Sequence, residues 1–189
     1  VGMERDDLGK LDWLVVWDLR ETETAAHWKR PGVDPSQIGT EDFLLPAKAS
    51  MEREGSLTNS GRWMQWRYKC CDGPSMARSD LWIVTQLVGK LKELYATEGG
   101  EYPDPISNLT WGYGDEPDVH KVAKEINGYD LETGLLLPSF TKLKSDGTTS
   151  SGNWLYCGSY TEKGNMAARR GSTQTPAQAN IGLYPNWAW

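Results

Sequence analysis

At 189 residues the chain has room for one domain with a real core and for part of a second at most. Twenty Lys and Arg against 26 Asp and Glu leave a net charge of -6. The basic residues are scattered, which excludes nucleic acid and anionic membrane surfaces as partners.

In chain order, the first strong element is Trp13-Leu-Val-Val-Trp17, a continuous apolar run that predicts a strand buried on both faces, as in a parallel sheet. It is also the longest apolar run and falls far short of the roughly 20 residues of a membrane span. No signal-peptide core precedes it, so a soluble chain without direct membrane insertion is expected. A polar turn from Asp18 leads to Thr22 or Thr24 as the cap of a helix through Ala25, Ala26 and Trp28, stopped by Pro31-Gly32. Asp42-Phe-Leu-Leu-Pro46 predicts a second short strand. Gly55 and Gly61, with Leu57, Trp63 and Trp66 interleaved, indicate a hairpin.

The clearest helix starts at Ser79. Ile83, Val84, Leu87, Val88, Leu91, Leu94 and Tyr95 form one stripe, Gly99-Gly100 ends it, and the interior Gly89 implies a close neighbour. A shorter helix follows Pro117, with Val119, Val122, Ala123 and Ile126 on one face and Gly128 as its stop. From Leu135 the chain is rich in turns, and its Gly- and Ser-rich tail has the composition of a segment laid over another domain. The ends, Val-Gly-Met and Asn-Trp-Ala-Trp189, read as those of a fragment.

Catalytic chemistry is sparse. His27 and His120 lie in no metal-ligand spacing and read as ordinary helix residues. Cys70, Cys71 and Cys157 have no disulfide or zinc pattern and read as small buried or half-buried residues. Glu21, Glu23, Glu52 and Glu54 are acidic enough for an acid/base pair but equally suit a solvated face. Asn108-Leu-Thr110 is a glycosylation sequon by spelling alone. No catalytic residue and no metal ligand is assigned. In open α/β sheets ligands bind beyond the carboxyl ends of the strands. Asp18 to Thr24 holds that position after the first strand, and Asp80 opens the long helix. Asp80 reads either as a ligand carboxylate or as a charge set against the helix dipole.

Trp13-Leu-Val-Val-Trp-Asp-Leu-Arg-Glu-Thr-Glu-Thr-Ala25, Thr40-Glu-Asp-Phe-Leu-Leu-Pro46, Glu52-Arg-Glu-Gly-Ser-Leu-Thr-Asn-Ser-Gly-Arg-Trp63 and Arg78-Ser-Asp80 resemble the catalytic (alpha) subunit of formate dehydrogenase. So do Glu125-Ile-Asn-Gly-Tyr129, Asp146-Gly-Thr-Thr149 and Trp154-Leu-Tyr156. The resemblance runs from about Leu11 to the end and matches an internal segment of a much longer chain. It implies an α/β fold: residues 1–100 as part of a Rossmann-like pterin-binding αβα domain, and 101–189 as a helix plus an irregular, turn-rich interdomain region.

The resemblance also implies a molybdopterin guanine dinucleotide with molybdenum or tungsten in the full enzyme. Trp17, Asp18, Thr22, Thr24, Ala47 and Asp80 would line its guanine end, Asp80 gripping the base, while Ala47 stands where some relatives carry serine. The implied partners are the remainder of the catalytic subunit and an iron-sulfur electron-transfer subunit, in a periplasmic enzyme. The metal ligand and acid/base group of the family are absent from this segment, so the isolated chain is expected to be inactive and to hold no cofactor tightly. Asn59 and Arg62 are expected to shape a turn, with Trp63 and Trp66 packed against neighbouring domains. Two alternatives remain: a related oxyanion reductase segment, or a tryptophan-rich carbohydrate-binding module, which requires Trp63 or Trp66 to be exposed.

Overall fold

A computed structural model of the chain describes residues 2–168. The elements are α1 (Gly2–Leu8), β1 (Trp13–Asp18), β2 (Glu41–Pro46), β3 (Gly55–Thr58), β4 (Met64–Arg67), α2 (Asp80–Glu98), α3 (Asp104–Ser107), α4 (Val119–Asn127), β5 (Tyr129–Asp130), β6 (Thr149–Ser150), β7 (Tyr160–Thr161) and β8 (Gly164–Asn165). They are mixed helix and small sheets, as an α/β composition requires. Among the described residues two compact units form: one takes those up to Arg53 with Tyr68–Pro117, the other Glu54–Arg67 with those that follow Pro117. The expected draping of the tail lies outside the described residues.

In the first unit β1 and β2 pair in parallel, from Trp13 opposite Glu41 to Asp18 opposite Pro46. The parallel pairing agrees with the apolar run, but burial on both faces does not. Trp13, Val15 and Trp17 are exposed while Leu14 and Val16 are half-buried, because a two-stranded sheet has no second layer on that face among the described residues. The helix expected from Thr22 is also absent. In its place are a turn over 23–26 and one 3-10 turn, His27–Lys29. The stretch is too short to repay helix nucleation, and Thr22, Thr24, His27 and Trp28 are weak helix formers ahead of Pro31.

α2 forms as its sequence predicts. The Ser79 hydroxyl accepts the Trp82 N–H at 3.2 Å, and Gly99 closes the other end with φ of 71°. One side is fastened by polar contacts: Trp82 Nε1 to Glu116 at 3.1 Å, Gln86 to the Asp115 carbonyl at 3.2 Å and Trp111 Nε1 to Thr85 at 3.0 Å. Val84, Leu87 and Leu94 of the apolar stripe stay exposed. Gly89 faces open space, contrary to the close neighbour it implied. Cys70 and Cys71 are exposed rather than buried, with both backbone N–H groups donating to the Met51 carbonyl, while Cys157 is buried as expected.

In the second unit β3 and β4 form the expected antiparallel hairpin, Gly55 opposite Arg67 through Thr58 opposite Met64. Asn59 Oδ1 accepts the Gly61 N–H at 2.9 Å, and Arg62, at φ of 63°, donates its N–H to the Asn59 carbonyl. The two tryptophans part company. Trp66, 2% exposed, packs inside its own unit against His120 with ring centroids 4.9 Å apart, and its Nε1 donates to Glu54 at 3.0 Å. Trp63 is 70% exposed. Trp63 thus meets the exposure that the carbohydrate-binding alternative requires and Trp66 does not, and Trp66 is not the interdomain residue it was expected to be. α4 starts at Asp118, whose carboxylate accepts the His120 N–H at 2.8 Å, and ends at Gly128.

Candidate functional site

The carboxyl ends of the parallel strands are built by backbone pairing. The Ala47 N–H donates to the Asp18 carbonyl at 3.1 Å. Beyond β2 the chain makes a parallel bridge between Ala47 and Arg78: the Arg78 N–H donates to Pro46 O at 3.1 Å, and Lys48 N–H to Arg78 O at 2.9 Å. A third extended segment thus flanks β2, and two residues later Asp80 opens α2. Asp18, Ala47 and Asp80, far apart in sequence, end at the same edge for that reason.

Each predicted residue has a distinct local role. Asp18 organises its own turn: Oδ1 accepts the Leu19 N–H at 2.7 Å and Oδ2 the Thr22 hydroxyl at 3.0 Å. Trp17 is exposed on β1. Thr22 is half-buried and Thr24 exposed; both line a cleft of about 750 Å³ with Leu8, His27 and Arg30 among its walls. Asp18, Ala47 and Asp80 lie outside that cleft's lining. A second cleft, of about 770 Å³, lies in the other unit between Leu135, Lys142 and Lys163 and contains none of the predicted residues.

Asp80 combines an accessible carboxylate, 63% exposed, with the first turn of a 19-residue helix, where the dipole favours negative charge. The guanidinium of Arg53 pairs with its Oδ2. Arg78 is nearby in sequence but committed elsewhere: Nη1 donates to the carbonyls of Ser75 at 2.7 Å and Ala77 at 3.0 Å, and the group lies over the Trp82 ring. Sequence reasoning missed Arg53, because its partner is 27 positions away and no local periodicity links them.

Three of the four glutamates are engaged by other groups. Glu21 pairs with Lys29 at 2.6 Å, Glu52 accepts the Ala49 N–H at 2.8 Å, and Glu54 accepts from Trp66. No group of three or more His, Cys, Asp or Glu among the described residues is placed to hold a metal ion. No helix among them is long and apolar enough to cross a membrane.

No family model matches the chain. Individual relatives do. The alpha subunit of formate dehydrogenase 2 (cytochrome c-553) from Nitratidesulfovibrio vulgaris is 48% identical over 98% of this chain. The chain is a homologue of one segment of formate dehydrogenase alpha subunits. The formate dehydrogenase alpha subunit of Megalodesulfovibrio gigas is 43% identical over 98% of the chain, and the nitrate-inducible major subunit of Escherichia coli formate dehydrogenase is 42% identical over 96%. The chain spans about a fifth of these relatives, 19%, 20% and 19% of their lengths.

The segments that resemble formate dehydrogenase divide between the two units. Those around Asp18, Pro46 and Asp80 form the strand-end edge. Asn127-Gly-Tyr129, Asp146 to Thr149 and Trp154 to Tyr156 lie in the other unit, where the Asn127 and Asp146 side chains bond to backbone and the preceding Asn153 side chain accepts the Leu155 N–H.

Proposed function

We propose that this chain supplies part of the guanine-nucleotide side of a molybdopterin guanine dinucleotide cradle in a formate dehydrogenase alpha subunit. The observation that carries the reading is the convergence of Asp18, Ala47 and Asp80 at one edge, through the parallel pairing of β1 with β2 and the Ala47–Arg78 bridge. In this reading the first unit is part of a Rossmann-like αβα domain whose remaining strands come from the rest of the subunit.

The residues present fit the group. Guanine offers its ring N–H and exocyclic amine as adjacent donors, and an ionised carboxylate is an acceptor-only pair that meets both. Asp80 has the required exposure, and Arg53 orients it from Oδ2. In the adjoining turn Thr24 has a hydroxyl suited to ribose or phosphate oxygens, Thr22, whose proton goes to Asp18, can accept from a ribose hydroxyl, and Ala47 offers backbone alone. When bound, the molybdenum or tungsten form of the cofactor supplies the two-electron chemistry that takes formate to carbon dioxide and a proton. This segment's residues bind and orient and take no part in proton or electron transfer. In this reading the electrons pass to an iron-sulfur subunit and the enzyme is periplasmic, as the family resemblance implies.

The test is Asp80→Asn in the full-length holoenzyme, read by the guanine nucleotide released on acid hydrolysis per subunit. Exchanging one carboxylate oxygen for a donor turns an attraction into a clash, and nucleotide content falls roughly tenfold, equivalent to about 1.4 kcal/mol. Unchanged content sinks the assignment of Asp80.

A further inference from the structure

His27, 3% exposed, sits in the turn that carries Thr22 and Thr24. Its Nδ1 lies 3.3 Å from Asp42 Oδ1 on β2, close enough for an ion pair but without hydrogen-bond geometry. Both ring nitrogens and that carboxylate oxygen are buried and have no hydrogen-bond partner among the described residues. Buried polar atoms left in this way are rare in native proteins and need a reason. Here the two groups face each other, so removing either one leaves the other buried and alone.

The turn's backbone bonds are local: Ala26 N–H to Thr22 O at 2.9 Å, His27 N–H to Thr24 O at 3.4 Å and Lys29 N–H to Ala26 O at 2.9 Å. None of these three reaches β2. The charged groups around the histidine are Asp42 from β2, Glu4 from α1, and Glu21, Glu23, Lys29 and Arg30 from its own segment, with Lys29 engaged by Glu21.

We propose that the His27–Asp42 pair is a positioning device that clamps the turn bearing Thr22 and Thr24 against β2 and so presets the side of the nucleotide cradle that these two threonines form. The inference rests on the reading of Thr22 and Thr24 as cofactor contacts. His27 and Asp42 themselves touch no cofactor; they act through the turn.

The experiment uses the full-length holoenzyme with His27→Phe, Asp42→Leu and the two combined. Two readouts are taken: hydrogen-exchange protection of the Ala26, His27 and Lys29 amides, and guanine nucleotide released per subunit. Each single change strands one buried polar partner, so protection and nucleotide content both fall roughly tenfold. The double change replaces the pair with apolar side chains of similar shape and restores both to within about twofold. Rescue separates pairing from a general loss of packing. If the singles leave protection unchanged, or the double fails to rescue it, the clamp is overturned. If protection falls and is rescued while nucleotide content never moves, the clamp stands and the cofactor role of the turn is overturned.

Discussion

Asn127 Oδ1 accepts the backbone N–H of Gly158 at 2.6 Å, across 31 positions of sequence. The same oxygen accepts the Tyr160 N–H at 3.1 Å, and the amide nitrogen donates to the carbonyls of Gly128 at 2.8 Å and Leu137 at 3.0 Å. The side chain is fully buried and uses its whole hydrogen-bonding capacity on backbone from three stretches of chain. A motif that marked the family by spelling is, physically, the knot of the turn-rich unit.

Asn127→Leu keeps the volume and removes every one of those bonds, taking that partner from the Leu137 carbonyl and from the Gly158 and Tyr160 N–H groups, while the Gly128 carbonyl keeps the Leu137 N–H. At about 1–3 kcal/mol for each such group, less what water recovers, a loss of about 3 kcal/mol or more is expected. The shift in denaturant midpoint reads it, and a change below about 1 kcal/mol contradicts the knot.

Two glycines of similar rank in the sequence should answer alanine oppositely. Gly128 has φ of 97°, and an added Cβ would run into the Ser150 carbonyl, so Gly128→Ala costs about 2 kcal/mol or more. Gly89, exposed in mid-helix with nothing within 4 Å, should gain about 0.5–1 kcal/mol as alanine. Thermal melts of the two variants, moving in opposite directions, check both.

Two carboxylates tie the turn-rich unit to pH. Asp130 is held below the usual carboxylate range first by the Thr133 backbone N–H and then by its hydroxyl, and Asp146 first by the Thr148 hydroxyl and then by its N–H. A depressed folded value contributes stability above the unfolded value near about 3.9, and that contribution is lost as pH falls through the folded value. Carboxyl titration by NMR should place both midpoints below 3.9, a reference carboxylate value. Thr148→Val should return Asp146 toward the ordinary range and leave Asp130 unmoved.

The candidate site was legible in part. Asp18 and Asp80 could be picked out because one follows an apolar strand run and the other opens a capped helix, both local signals. Arg53 and the His27–Asp42 contact could not, since each joins residues from separate elements with no shared period. The helix expected at Thr22 to Trp28 failed for the same reason in reverse. Its local cues were real, but Asp18 captures the Thr22 hydroxyl and His27 turns inward toward Asp42. Trp63 and Trp66, three positions apart on one hairpin, show the limit most plainly. Only the partners Glu54 and His120 decide which ring is buried.

By itself the sequence determined the parallel run of β1, the hairpin around Asn59, both ends of α2 and α4, and kinship with formate dehydrogenase alpha subunits. These follow from near-neighbour chemistry: caps, turn residues and periodic apolar positions act within a few residues of one another. The tertiary structure alone decided the backbone pairing that brings Asp18, Ala47 and Asp80 to one edge, that Arg53 meets Asp80, and that Asn127 gathers Gly128, Leu137, Gly158 and Tyr160. Those relationships depend on closing long loops, and the groups they bring together carry no mark of one another in the linear chain.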